Sequence, residues 1–162
     1  MTREEFKNLF DIHFDGVRNY IYYRSGDSEL ATDIAQETFM RLWEKNLKVE
    51  EHKTKGLLFK MAGDLFVSSY RKQKTAMQFR LQIKPETADH SPEDKLQYEE
   101  LKSSYEAALA KMPEKQRTVF LMSRMEHLKN REIAEVLNLS IKAVEKRMKG
   151  ALDHLKKAIR ES

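Results

Sequence analysis

Apolar residues recur at spacings of three and four along nearly the whole chain, and little interrupts them: 162 residues contain only five glycines and three prolines. That period belongs to helices that bury one face and wet the other. The expected fold is therefore all-α. Phe6, Leu9, Phe10, His13, Val17, Tyr20 and Ile21 form the first such stripe, which Ser25-Gly26-Asp27-Ser28 breaks. A second helix, over about 28–46, buries Leu30, Ile34, Thr38 or Phe39, Leu42 and Trp43. A polar loop over 47–56 precedes a third, over about 57–74, with Leu58, Met61, Leu65 and the step from Val67 to Ser68 facing inward.

Residues 130–149 carry a more specific pattern. Asn130 is a good N-cap for a short helix that buries Ile133, Ala134 and Leu137. Asn138 tolerates the left-handed turn conformation, Leu139 plugs the corner, and Ser140 caps a second helix. There Val144 and Met148 point inward, leaving Lys142, Glu145, Lys146, Arg147 and Lys149 outside. This is a helix-turn-helix with a basic recognition helix, whose cations suit phosphates and whose size suits the major groove. Arg131 adds a cation at the start of the supporting helix.

Charge must be judged by its placement, because 30 basic residues against 26 acidic leave a net charge of only +4. Arg80 and Lys84 are followed by Glu86, Asp89, Glu93, Asp94, Glu99 and Glu100, against Lys95 alone. The segment 75–100 therefore reads as a flexible acidic linker in which a helix restarts near Pro92. It divides the chain into 1–74, itself, and 101–162, two compact helical bundles on one tether. The second bundle holds a helix ending at Met112-Pro113, one over 114–126, and the helix-turn-helix, whose last helix continues through Leu152, Leu155 and Ile159.

Two further constellations stand in the first half. Lys60, Tyr70, Arg71, Lys72 and Lys74 mix with Phe59 and Phe66, a blend of charge and aromatic faces that suits unpaired bases. Asp33, Gln36, Glu37 and Met40 lie along one side of a helix that Trp43 closes, a surface suited to a protein partner. Against these stand bland readings, since aromatics at helical spacing usually form core and basic helix ends answer the helix dipole. Catalysis is not expected: His13, His52, His90, His127 and His154 have no metal-ligand spacing, and no Gly-rich phosphate loop or nucleophile elbow is present. No cofactor or metal is implied, and with no cysteine there is neither disulfide nor thiolate chemistry. No stretch approaches the roughly 20 apolar residues that span a bilayer, and the N-terminus lacks an apolar run for a signal peptide. A cytoplasmic protein without membrane insertion is expected.

In order, the chain offers an amphipathic helix, then Asp33-Ile-Ala-Gln36-Glu37-Thr-Phe39-Met-Arg-Leu-Trp43, then the Ala62-Gly-Asp64-Leu helix ending in Arg71-Lys72. After the acidic linker come Leu109-Ala-Lys-Met112-Pro113-Glu-Lys-Gln116-Arg117-Thr-Val-Phe and the helix-turn-helix. This combination resembles the extracytoplasmic-function sigma factors of the sigma-70 family, over about residues 5–160. The resemblance implies an alternative sigma factor, a specificity subunit that brings core RNA polymerase to promoter DNA under control of an anti-sigma factor. The polymerase contacts implied are the β′ clamp and the β flap. Asp33, Gln36, Glu37, Phe39, Leu42 and Trp43 match the helix that docks on the β′ clamp coiled coil, with Phe39 and Leu42 either in that contact or only supporting it. The helix over 57–74, with Lys60, Asp64, Ser68, Tyr70, Arg71, Lys72 and Lys74, matches the part that melts the minus-ten element and traps a flipped base. Arg131, Ser140, Lys142, Ala143, Lys146, Arg147 and Lys149 match the reader of the minus-thirty-five element.

Three residues depart from the family pattern, which usually has asparagine at Asp64, aspartate at Ser68 and threonine at Ala143. The rival reading is a stand-alone helix-turn-helix regulator with an N-terminal sensor bundle; a third is an all-α adaptor without a nucleic-acid role.

Overall fold

The computed structural model describes residues 1–46, 50, 53–70, 79–80 and 92–160, with the side chains of 69 and 70 excepted. Helix α1 (Arg3–Ser25) opens on a reciprocal cap: the Glu5 amide donates to Thr2 Oγ1 at 3.1 Å, and the Thr2 amide donates to Glu5 Oε2 at 3.4 Å. It ends at Gly26, whose φ of 69° is the left-handed conformation that glycine adopts without strain. Asp27 then caps α2 (Ser28–Glu44), accepting from the Leu30 amide at 3.1 Å. With so short a joint, α1 and α2 fold back on each other.

Their shared face is aromatic at one end: the rings of Phe6, Phe10 and Phe14 all lie within 6.3 Å of Phe39. Leu42 is fully buried too, as are Val17, Ile21, Ile34 and Ala35 toward the other end. Leu58 and Ala62 complete the packing from α3 (Thr54–Leu65). This helix starts about one turn earlier than its apolar spacing suggests.

Beyond Leu65 the chain departs from the straight helix expected through residue 74. Residues Phe66–Tyr70 form a π-helical turn, which is wider than an α turn. Val67 is consequently 47% exposed, not inward, and Ser68 is exposed as well. Arg71, Lys72 and Lys74 lie outside the described residues, as do most of the expected linker and the histidines at 52 and 90.

Helix α4 (Pro92–Lys111) starts at Pro92, where the sequence predicts a helix to restart, and so takes up the last part of the expected linker. Pro113 turns the chain into α5 (Glu114–Glu126), and α6 (Asn130–Leu137) and α7 (Ile141–Arg160) follow. Asn130 is the first helical residue of α6, not its cap; Glu132 closes that end by accepting from the Lys129 amide at 3.1 Å. Leu109, Met112, Val119, Leu121, Met122, Ile133, Val144 and Ala151 form the core of this half.

The two halves also pack on each other. Helix α1 packs along α5, and α3 packs against α6. Phe79, from near the start of the expected linker, is buried between Tyr22, 5.6 Å away ring to ring, and the Arg117 guanidinium, 4.7 Å above its ring. Apolar burial, which drives such contacts, thus runs continuously from one half into the other.

Candidate nucleic-acid interface

The helix-turn-helix is built as its residues suggest. Asn138 takes φ 55° and ψ 49° at the end of α6, and the Leu139 amide returns to the Ala134 carbonyl at 2.9 Å. Ser140 Oγ accepts from the Ala143 amide at 3.1 Å, capping α7. One face of α7 is anchored by Val144, Ala151 and Leu155, all buried, with Met148 partly so. The opposite face presents Lys142, Lys146 and Lys149, exposed, with Glu145 beside them and Arg147 and Ala143 half-buried at its flanks. Arg131 is exposed on α6. Gly150 lets α7 approach α5 closely, because a Cβ there would sit 2.5 Å from Gln116 Nε2. A helix held this firmly can offer its cations as a fixed row to phosphates.

Ser140→Ala is expected to cost about 1 kcal/mol through the lost cap. Thermal denaturation followed by circular dichroism should register it, and an unchanged midpoint would show that the cap contributes nothing to stability.

In the first half, Lys60 and Asp64 are exposed one turn apart on α3. They line a cleft of about 880 Å³, together with Lys53, Lys55 and Val67; Glu132 and Glu135 of α6 stand opposite. Ser68 lies in the π turn, its hydroxyl donating to the Leu65 carbonyl at 3.4 Å. Phe59 and Phe66, which the sequence leaves between core residues and stacking platforms, are buried. Phe59 stacks on Tyr20 at 4.7 Å, and the Arg24 guanidinium lies 4.8 Å over Phe66. Their faces are taken by protein, so they are closed to bases. His13 nearby has its pKa lowered by burial and then by Lys55, which leaves the imidazole neutral near pH 7.

Along α2, Asp33, Gln36, Met40 and Trp43 are exposed, while Glu37 is half-exposed and bridges Arg41 at 3.1 Å. Trp43 is not core: it is 42% exposed and leans edge-on against Phe6 at 5.1 Å. Phe39 and Leu42 cannot belong to this surface, since both are buried under it within the aromatic cluster. They hold the exposed strip in place and do not themselves offer a contact.

Several residues of consequence escape a sequence reading. Lys53 and Lys55 fall where a loop is expected, Glu132 and Glu135 look like ordinary solvated charge, and Arg117 looks like one cation among 30. Met77, Phe79, Leu81 and Ile83 make the first part of the expected linker apolar at intervals, a hint that it returns to the core, and Phe79 is buried there. Among the described residues, no three His, Cys, Asp or Glu side chains gather as a metal site, and no helix is long and apolar enough to cross a membrane.

Comparison with known proteins places both halves. Residues 9–76 match the Sigma-70 region 2 model, and residues 102–155 match the Sigma-70, region 4 model. The ECF RNA polymerase sigma factor SigW of Bacillus subtilis is 26% identical over 170 residues, covering 98% of this chain and 91% of that protein. The ferric citrate uptake sigma factor FecI of Escherichia coli is 26% identical over 151 residues, covering 92% and 87%. Among solved structures, the sigma factor RpoE from Bartonella quintana, held in complex with the anti-sigma factor NepR, superposes with a TM-score of 0.65. That match has 16% identity and covers 97% of this chain and 98% of the other.

Proposed function

Because the chain belongs to the sigma-70 family, in its extracytoplasmic-function group, we propose that it is an alternative sigma factor that directs core RNA polymerase to a restricted set of promoters. The observation that carries this reading is the ordered pair of matches, region 2 before region 4, over most of the chain. The family acts as specificity factors and not as catalysts, so the chemistry of transcription stays with the polymerase. Each surface then has a task. The exposed strip Asp33, Gln36, Met40 and Trp43, with Glu37, docks on the β′ clamp. The second half meets the β flap.

Lys60, Asp64 and Ser68, continuing toward Tyr70, Arg71, Lys72 and Lys74, handle the minus-ten element as it melts. Unstacking a base costs a few kcal/mol, which stacking and hydrogen bonds in a pocket must return. Lys142, Lys146, Lys149 and Arg147 hold the phosphates around the minus-thirty-five element, with Arg131, Ser140 and Ala143 at the rim of that contact. An anti-sigma factor is the proposed regulator, supported by the fold shared with a sigma factor solved in such a complex.

Gel filtration with sigma-free core polymerase tests the proposal. Co-elution at equal stoichiometry is the expected result. Elution alone, combined with tight binding to duplex DNA, would make the protein a stand-alone regulator whose first half is a sensor.

Asp64 bears on promoter choice. Phosphate repels a carboxylate, yet a carboxylate accepts a hydrogen bond from the cytosine amino group. Asp64→Asn is expected to change the preferred base at one minus-ten position by about tenfold, the scale of one good base contact. Transcription from promoters varied at each minus-ten position would reveal it, and an identical preference profile would clear Asp64 of any such role.

A further inference from the structure

The exposed face of α7 is not uniformly basic. Glu145 stands among Lys142, Lys146 and Lys149, and all four are exposed. Each lysine is within four residues of Glu145, and at spacings of three and four a helix pairs opposite charges. Yet among the described residues no ion pair ties Glu145 to any of them. Its carboxylate is left for a partner outside the chain. Ile141, one turn earlier, is 46% exposed. Residues four apart lie nearly one above the other on a helix, so Ile141 and Glu145 form a short strip beside the lysines. The helix is anchored without them, through Val144, Ala151 and Leu155.

A carboxylate on a surface that meets DNA weakens binding wherever it faces phosphate. It strengthens binding only where it meets a hydrogen-bond donor. A recognition helix enters the major groove with its N-terminal residues at the base edges, and Ile141 and Glu145 lie in the first two turns of α7. In that groove guanine shows two acceptors, thymine an acceptor and a methyl group, and adenine an acceptor beside its amino group. Cytosine shows its amino donor alone. An ionised carboxylate can only accept, so it fits cytosine and meets a repelling acceptor on each of the other three bases. Ile141 offers apolar surface, which suits the thymine methyl. Four residues rise about 6 Å along α7, so the two contacts fall within about two base-pair steps.

We propose that Ile141 and Glu145 set the base preference at the minus-thirty-five element. Glu145 accepts from a cytosine amino group and Ile141 packs on a nearby thymine methyl, while Lys142, Lys146 and Lys149 draw affinity from the phosphates. These are the two exposed residues in the first two turns of α7 that carry no positive charge. The assignment rests on the minus-thirty-five role given above to α7.

The test is selection from a duplex library randomised across the minus-thirty-five element, using the full chain both alone and bound to core polymerase. The parent is expected to enrich cytosine at one position and thymine close beside it. Glu145→Gln should move the first position from cytosine to adenine by about tenfold, because a carboxamide both accepts and donates and so matches adenine N6 and N7. Replacing the selected thymine by deoxyuridine removes only the methyl group. The parent should then lose about fourfold in affinity, the scale of one buried methyl, and Ile141→Ala should bind both duplexes alike. A thermal melt checks that each variant stays folded.

A merely solvated Glu145 would give another result: Glu145→Gln would raise affinity for every sequence equally, by removing a negative charge. That outcome overturns the proposal. So does a parent profile without cytosine, or a lost cytosine preference with no gain for adenine. A uracil penalty that persists in Ile141→Ala overturns the methyl contact. Polymerase binding is read separately. A chain that ignores polymerase but switches from cytosine to adenine keeps the base contact and loses the sigma-factor reading; one that joins polymerase with its base preference unchanged does the reverse.

Discussion

Replacing Arg117 by methionine is expected to lower stability by about 3 kcal/mol, the scale of losing charge-assisted hydrogen bonds to several buried carbonyls. Two effects compete. A buried cation carries a desolvation cost, and exchanging a whole buried polar cluster for apolar groups is often neutral or favourable. Here, however, the partners are backbone carbonyls of Tyr23, Arg24 and Met112, which no side-chain substitution removes. Deleting the donor leaves those acceptors in the join without it, and methionine has only a thioether to offer. Burial lowers the Arg117 pKa while Glu114 raises it, and a guanidinium remains charged throughout. Its face also lies over the Phe79 ring, a contact that favours a delocalised planar cation. Arg117→Lys should fall between parent and methionine, since an ammonium supplies charge but not the flat fork that serves three carbonyls. Urea denaturation followed by circular dichroism measures both. Equal midpoints for parent and methionine variant would mean that apolar packing alone holds the join.

The second large effect is expected in binding, with little change in folding. Trp43→Ala combined with Glu37→Ala should weaken association with core polymerase by about 2 kcal/mol, or about thirtyfold, the scale of an interface hot spot. Trp43 offers a broad half-exposed face already steadied by Phe6, so little side-chain freedom is left to lose on docking. Met40, more than half exposed, extends that apolar surface, and Asp33 and Gln36 give it a polar edge. The aromatic cluster around Phe39 does not depend on the outer face of the indole. A fluorescence titration with core polymerase, beside a thermal melt, separates the two quantities. Retained affinity would move the docking surface off α2, whereas a collapsed melt would show that Trp43 supports the fold.

How far each element was legible depended on where its determinants lie along the chain. The helix-turn-helix could be read in detail because local residues determine it: Asn138 for the turn, Ser140 for the cap, and Val144 and Met148 for the buried face. The polar strip of α2 was legible for the same reason, except that Phe39 and Leu42 share the motif and lie beneath it. Aromatic residues on α3 were ambiguous, since the same ring can stack on a base or on Tyr20; the usual reading of such spacing as core is the one the structure has. The join between the halves could not be read at all. Arg117 bonds to main-chain carbonyls 93 and 94 residues away, and a carbonyl has no letter in a sequence. The restart of a helix at Pro92 was legible from the proline, but the return of Phe79 to the core was not, because its partners Tyr22 and Arg117 lie far off in sequence.

The π turn at Phe66–Tyr70 changes the phase of the helix from Phe66 on. Five peptide units per loop, where an α turn closes in four, act as one residue inserted into the helical repeat. One residue is about 100° of azimuth. Side chains beyond Leu65 therefore leave the angular positions that a straight extension of α3 would assign to them, which is why Val67 meets solvent. A helical wheel continued straight from α3 is out of step within the turn itself.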